Sequence, residues 1–70
     1  MTHPEVRVLQ QFLAKDKTVY PEGQVTGKFG GLTLAAVQRF QKKYSIAKAG
    51  DRGYGVVGPA TRAKIAELSE

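Results

Sequence analysis

The residues of this chain best placed to do chemistry are glycines. Gly27-Lys28-Phe29-Gly30-Gly31 and Gly55-Val56-Val57-Gly58-Pro59 each lead into a stretch of helical periodicity. The copies agree at a constant offset of 28 through Thr33 and Thr61, Val37 and Ile65, and Phe40 and Leu68. A fixed offset marks residues that do the same physical job twice. Gly30 and Gly58 stand at the cap positions, so neither helix start has a Ser, Thr, Asp or Asn acceptor for its first NH groups. Two such starts, each with partial positive charge, could hold carboxylates or amide carbonyls of a ligand. The structural alternative is that Thr33 and Thr61 fold back onto the preceding loop while water satisfies the rest. Most matched positions, from Phe29 and Val57 to Phe40 and Leu68, are expected to face the core. Ligand contacts are expected where the copies differ, at Lys28 against Val56, Gly31 against Pro59 and Arg39 against Glu67.

Tyr20 and Tyr54 precede these helices in glycine-bearing loops. An exposed ring there could stack on a sugar face, and a ring packed under the loop with a wet hydroxyl is the ordinary alternative. Tyr44 has the spacing of a core residue. Gln38, Arg39, Gln41 and Lys42 place long donors on and around the expected outer face of the second helix, and Arg39 has the planar fork that suits a carboxylate. The candidate ligand-binding set is therefore Tyr20, Lys28, Gly30, Gly31, Arg39, Tyr54 and Gly58.

Catalysis has little to build on. The single histidine, His3, lies beside the N-terminus, Ser45 and Ser69 have no base near them in sequence, and the carboxylates form no paired motif. There is no cysteine, which excludes a disulfide framework, a thiolate nucleophile and a cysteine zinc site. No phosphate-binding Gly-x-x-x-x-Gly-Lys-Ser/Thr run occurs. The chain reads as a non-enzyme with no metal and no cofactor.

Three helices must position these residues. Thr2-His3-Pro4-Glu5 is a capping box with proline in the first turn, and it predicts a helix over about 4–15 with Val6, Leu9 and Leu13 on one face. Phe12 flanks that face and Val8 sits at its edge. A second helix over about 31–44 turns Thr33, Val37, Phe40 and Tyr44 inward and Arg39, Lys42 and Lys43 outward. A third, over about 59–68, starts with Pro59 at its first position and turns Thr61, Ile65 and Leu68 inward. The connections over 16–31 and 45–58 hold too many glycines for helix, with a turn at Tyr20-Pro21-Glu22-Gly23. Val19, Tyr20, Val25 and Phe29 make the first a packed loop, and short extended pieces around Val25 and Val56 are allowed. The fold class is all-α, a three-helix bundle with two long glycine-rich structured loops.

Seventy residues make one domain near the lower size for folding without a staple. Eleven Lys and Arg against six Asp and Glu leave +5. That balance suits phosphate backbones, anionic wall polymers or acidic membranes without choosing among them. No apolar run is long enough to span a bilayer, and no membrane insertion is expected. A nucleic-acid-binding helical domain is one alternative, with Arg62 and Lys64 facing DNA. The long loop over 45–58 argues against it, because a helix-turn-helix needs a turn of about three or four residues.

With these residues laid out, the chain resembles the small three-helix peptidoglycan-binding-like domains carried by many bacterial wall hydrolases. The resemblance rests on Val6-x-x-Leu9-Gln10-x-x-Leu13, then Val25-Thr26-Gly27-x-Phe29-Gly30-x-x-Thr33-x-x-Ala36-Val37-x-x-Phe40-Gln41, and then Gly55-Val56-Val57-Gly58-Pro59-x-Thr61. It covers nearly the whole chain. Gly31-Leu32 departs from the Pro and polar residue frequent in the family, and no Asp precedes Gly27. The resemblance implies a noncatalytic module that binds peptidoglycan or its muropeptide fragments and targets a covalently attached catalytic domain to the wall. It also implies an extracytoplasmic monomer cut from a longer exported chain. A groove between the two repeated loops and the second helix is the expected site. A protein-docking module on the same fold is the other alternative.

Overall fold

The computed structural model describes residues 4–69. Thr2 and His3 lie outside the described residues, and with them the capping box and the reading of His3. Three helices form: α1 over Pro4–Ala14, α2 over Gly31–Lys43 and α3 over Pro59–Leu68. No strand element occurs among the described residues, so the extended pieces allowed around Val25 and Val56 stay irregular.

The stripe read in α1 is present. Val6 and Leu13 are buried and Leu9 and Phe12 pack against the core, while Arg7, Gln11 and Lys15 are exposed. Val8 lies fully on the outside of the stripe at 64% exposure. On α2, Ala36, Val37 and Phe40 are buried and meet Leu13, Val19 and Tyr20 in one cluster. Phe40 is the hub of that cluster. Its ring takes Phe12 edge-on at 5.7 Å and Tyr44 at 4.9 Å, both within the range of favourable aromatic contact.

The first loop is packed as its apolar content predicts. Asp16 starts it: the Val19 and Tyr20 NH groups donate to its carbonyl, and the Thr18 NH and hydroxyl donate to its carboxylate. Lys43, at the end of α2, pairs with the same carboxylate. The Lys43 bond, then the Thr18 hydroxyl, hold the Asp16 carboxyl at about 2, below its ordinary 3.8.

Burial is unequal along the chain. α1 and α2 pack on each other more closely than either meets α3, and Thr61 is the buried residue of α3. Leu68, expected to face the core as Phe40 does, is 42% exposed. The physical reason is position. Phe40 lies under α1 and the first loop, whereas Leu68 ends the last helix, beyond the cluster that Phe40 organises.

Candidate functional site

The two repeated loops owe their shape to a pair of buried glutamines. The Gln10 carboxamide oxygen accepts the NH groups of Thr26 at 2.8 Å and Gly27 at 2.9 Å, and its Nε2 donates to the Lys28 carbonyl and the Thr33 hydroxyl, both at 2.9 Å. Gln41 does the same one unit later. Its oxygen accepts the Gly55 NH at 2.7 Å, and its Nε2 donates to the Val56 and Gly53 carbonyls at 2.9 Å and the Thr61 hydroxyl at 3.2 Å. Gly27 and Gly55, Lys28 and Val56, and Thr33 and Thr61 are the pairs of the repeat. Both first glycines sit in the left-handed region, at φ of 82° and 81°, where a side chain would be strained. In this conformation each aims its NH at a glutamine oxygen.

Two expectations change here. Gln41, expected among exposed donors, is 0% exposed, because its carboxamide satisfies three backbone groups of the second loop and the Thr61 hydroxyl of α3. Thr33 and Thr61 do not fold back on their own loops; each accepts from the glutamine of the preceding helix. Gln10 was visible in the sequence beside Leu9, yet an offset of 28 does not pair it with Gln41. The spacing there is 31, since Val6-x-x-Leu9-Gln10 and Val37-x-x-Phe40-Gln41 are separated by a first loop three residues longer than the second.

The candidate ligand residues scatter. Tyr20 is 1% exposed, and its hydroxyl donates to the Gln24 carbonyl at 2.7 Å. Its ring is part of the core and offers no face to a sugar. Arg39 is exposed but ties down the first loop, donating from Nη1 to the Val19 carbonyl at 3.2 Å. Tyr54 is half-buried with the Lys42 ammonium 5.7 Å from its ring centre. Lys28, Gly30 and Gly31 lie exposed at the start of α2, and Gly58 is half-buried at the start of α3. Gly30 and Gly58 are the caps, with extended backbones and no side-chain cap bond, as their types require.

The concavity of this surface lies elsewhere. A groove of about 730 Å³ runs between α1 and α3, which meet less closely than α1 and α2 do. Val8 and Phe12 belong to the α1 wall, Ile65 and Ala66 to the α3 wall, and Phe29, Val56 and Val57 reach it from the two loops. No residue of α2 lines it, and none of the seven candidate residues does. This groove lies against the first and third helices; a smaller hollow of about 390 Å³ adjoins the end of the second, where Lys42 meets Ser45, Ile46, Lys48 and Asp51. The repeated loops do meet in the larger groove, through Phe29 and Val57, the matched apolar anchors between their glycines. Arg62 supplies charge on one side; its Nε donates to the Val57 carbonyl at 3.4 Å, which leaves the terminal nitrogens of an exposed fork. The missed signal was the exposed apolar pair Val8 and Val56, 64% and 56% accessible.

Among the described residues no three His, Asp or Glu side chains gather to hold a metal, and no helix is long and apolar enough to cross a membrane. The arrangement suits noncovalent binding in an apolar trough with one cationic rim.

The sequence model of the peptidoglycan binding domain family matches residues 2–65. The chain belongs to this family of binding domains. A zinc D-Ala-D-Ala carboxypeptidase of Streptomyces albus G is similar to the domain, 46% identical over 46 residues, which cover 66% of this chain and 16% of that enzyme. No solved structure matches. The three helices of the domain agree with the fold that the resemblance implied.

Proposed function

We propose that the chain is a noncatalytic module that binds bacterial peptidoglycan and holds an attached catalytic domain on the wall. The observation that carries this reading is the open apolar groove between α1 and α3, set in a domain of the peptidoglycan binding family. The groove is apolar and open to solvent, and the described residues that line it include no carboxylate and no histidine that could cut a polymer. The relative's name supports the second half of the proposal. It is a D-Ala-D-Ala carboxypeptidase, and the stretch matched here is a small part of its length, so the domain travels with a larger enzyme in that protein. By the same reading the module works outside the cytoplasm, as a monomer within a longer exported chain.

Affinity from one groove is modest, because few polar contacts offset the lost freedom of the ligand. A wall presents the same unit many times, and tethering to an enzyme lets a modest contact raise local concentration. The test is sedimentation of the chain with purified sacculi at physiological salt, beside a basic helical protein of equal charge. Retention of the domain alone supports the proposal; equal retention of both, or of neither, overturns it.

A further inference from the structure

Peptidoglycan offers two chemically different faces, a glycan dense in hydroxyls and short stem peptides rich in alanyl methyl groups and free carboxylates. The groove discriminates between them. Its walls are branched aliphatic and phenyl side chains, with Arg62 and Ser69 as the polar side chains among the residues that line it. Sugar hydroxyls buried there would lose water without gaining partners, at a cost for each unpaired group. Alanyl methyls lose nothing by leaving water, and the peptide's backbone groups can stay turned to solvent because the trough is open along its length.

The aromatic residues point the same way. Sugar binding favours broad ring faces with polar edges, which tyrosine supplies. Tyr20 is buried, and Tyr44 is flanked by Phe40 and by the Lys43 and Lys64 ammoniums at 5.7 and 5.6 Å. Tyr54 has Lys42 over its ring, and none of the three lines the groove. Charge completes the match. Among the described residues the groove's one charged side chain is a guanidinium, a planar fork that takes a carboxylate through two parallel bonds, and the chain as a whole is +5.

We infer that the groove between α1 and α3 takes the anionic stem peptide of the wall rather than its glycan, with alanyl methyls against Val56, Val57 and Ile65 and a peptide carboxylate on Arg62. This rests on the wall-binding reading above. The test is amide chemical-shift mapping of the chain with two probes, a synthetic stem peptide and glycan strands stripped of peptide by an amidase, together with sacculus sedimentation. The expected result is that the peptide moves the Val56, Val57, Arg62 and Ala66 amides while stripped glycan does not. Arg62→Gln should weaken peptide binding about tenfold, the loss of one charge-assisted contact. Val56→Asp, at a position exposed enough to leave folding intact, should weaken it by repelling the carboxylate.

Stripped glycan that shifts the groove while the peptide is silent would overturn the inference and leave wall binding standing. Peptide binding indifferent to both substitutions would overturn the placement in the groove. Failure to sediment with intact sacculi would remove both this inference and the reading it rests on.

Discussion

Gln10 and Gln41 grip their loops at equivalent atoms, yet the two halves they fasten are covered very differently. The first loop sends Val19 and Tyr20 into the core, is stapled at Asp16, and leads into a helix with five buried residues. The second loop keeps Ile46, Tyr54 and Val57 half-buried and leads into a helix with one buried residue, Thr61. One half is enclosed because α1 and α2 pack on each other and on the first loop; the other leaves α3 more loosely covered, with open space on the flank that faces α1. The same latch therefore serves two ends. In the first half it completes the core, and in the second it holds Val56, Val57 and α3 as one wall of an open groove. Burial gathers in one copy of the repeat and open apolar surface in the other.

The contrast is broken most severely at the matched pair Phe40 and Leu68. Phe40→Ala should cost about 3–5 kcal/mol, the range for removing a buried aromatic, while Leu68→Ala, at an exposed helix end, should cost under about 1 kcal/mol. Urea unfolding of the two variants checks this, and comparable losses would mean that the halves are packed alike.

A smaller effect sharpens the equivalence of the latches. Gln10→Ala and Gln41→Ala each leave a glycine NH and at least one loop carbonyl without their partner, so each should cost about 2–4 kcal/mol, from about 1–3 kcal/mol per buried group left unpaired. Near-equal shifts in the denaturant midpoint would show that the device is used twice with equal force. A much smaller loss at Gln41 would show that the second loop is held by something else. The weak packing of α3 adds a kinetic expectation to the same experiment: amide exchange in α3 of Gln41→Ala should quicken more than exchange in α1.

The gentlest test concerns acid. Asp16 belongs to the first half, and its folded pKa of about 2 lies below its ordinary 3.8. A carboxyl depressed on folding contributes stability that is fully present above the unfolded pKa and lost as pH falls through the folded one. The chain should therefore lose part of its stability between about pH 4 and pH 2. Asp16→Asn should flatten the thermal midpoint over that window with a small loss at neutral pH, since both partners are partly exposed and the pair is screened by solvent. An unchanged acid slope in this variant would show that the staple does not couple the first loop to α2.

Much of the fold was legible because it is local. Prolines and glycines at Pro4, Gly30, Gly58 and Pro59 mark where helices start, and the spacing of Val6, Leu9 and Leu13 or of Val37 and Phe40 marks which face turns inward. The candidate site was less legible, for two physical reasons. A glutamine on a helix reads as a solvent donor until a loop folds over it, and Gln41 becomes a core residue only because the second loop's NH and carbonyl groups converge on it. Tyr20 and Tyr54 have the same sequence setting, yet the first is swallowed by the cluster around Phe40 while the second stays at the edge.

The sequence by itself determined the three helices and the repeat that builds them, because each of these is set within a few residues by backbone sterics and apolar periodicity. Tertiary structure alone decided that Gln10 and Gln41 are the latches, that Leu68 is outside and that the open groove runs between α1 and α3. Those outcomes depend on which surfaces meet after the loops close. With a core this small, the helix that packs least closely leaves an open apolar trough at its side.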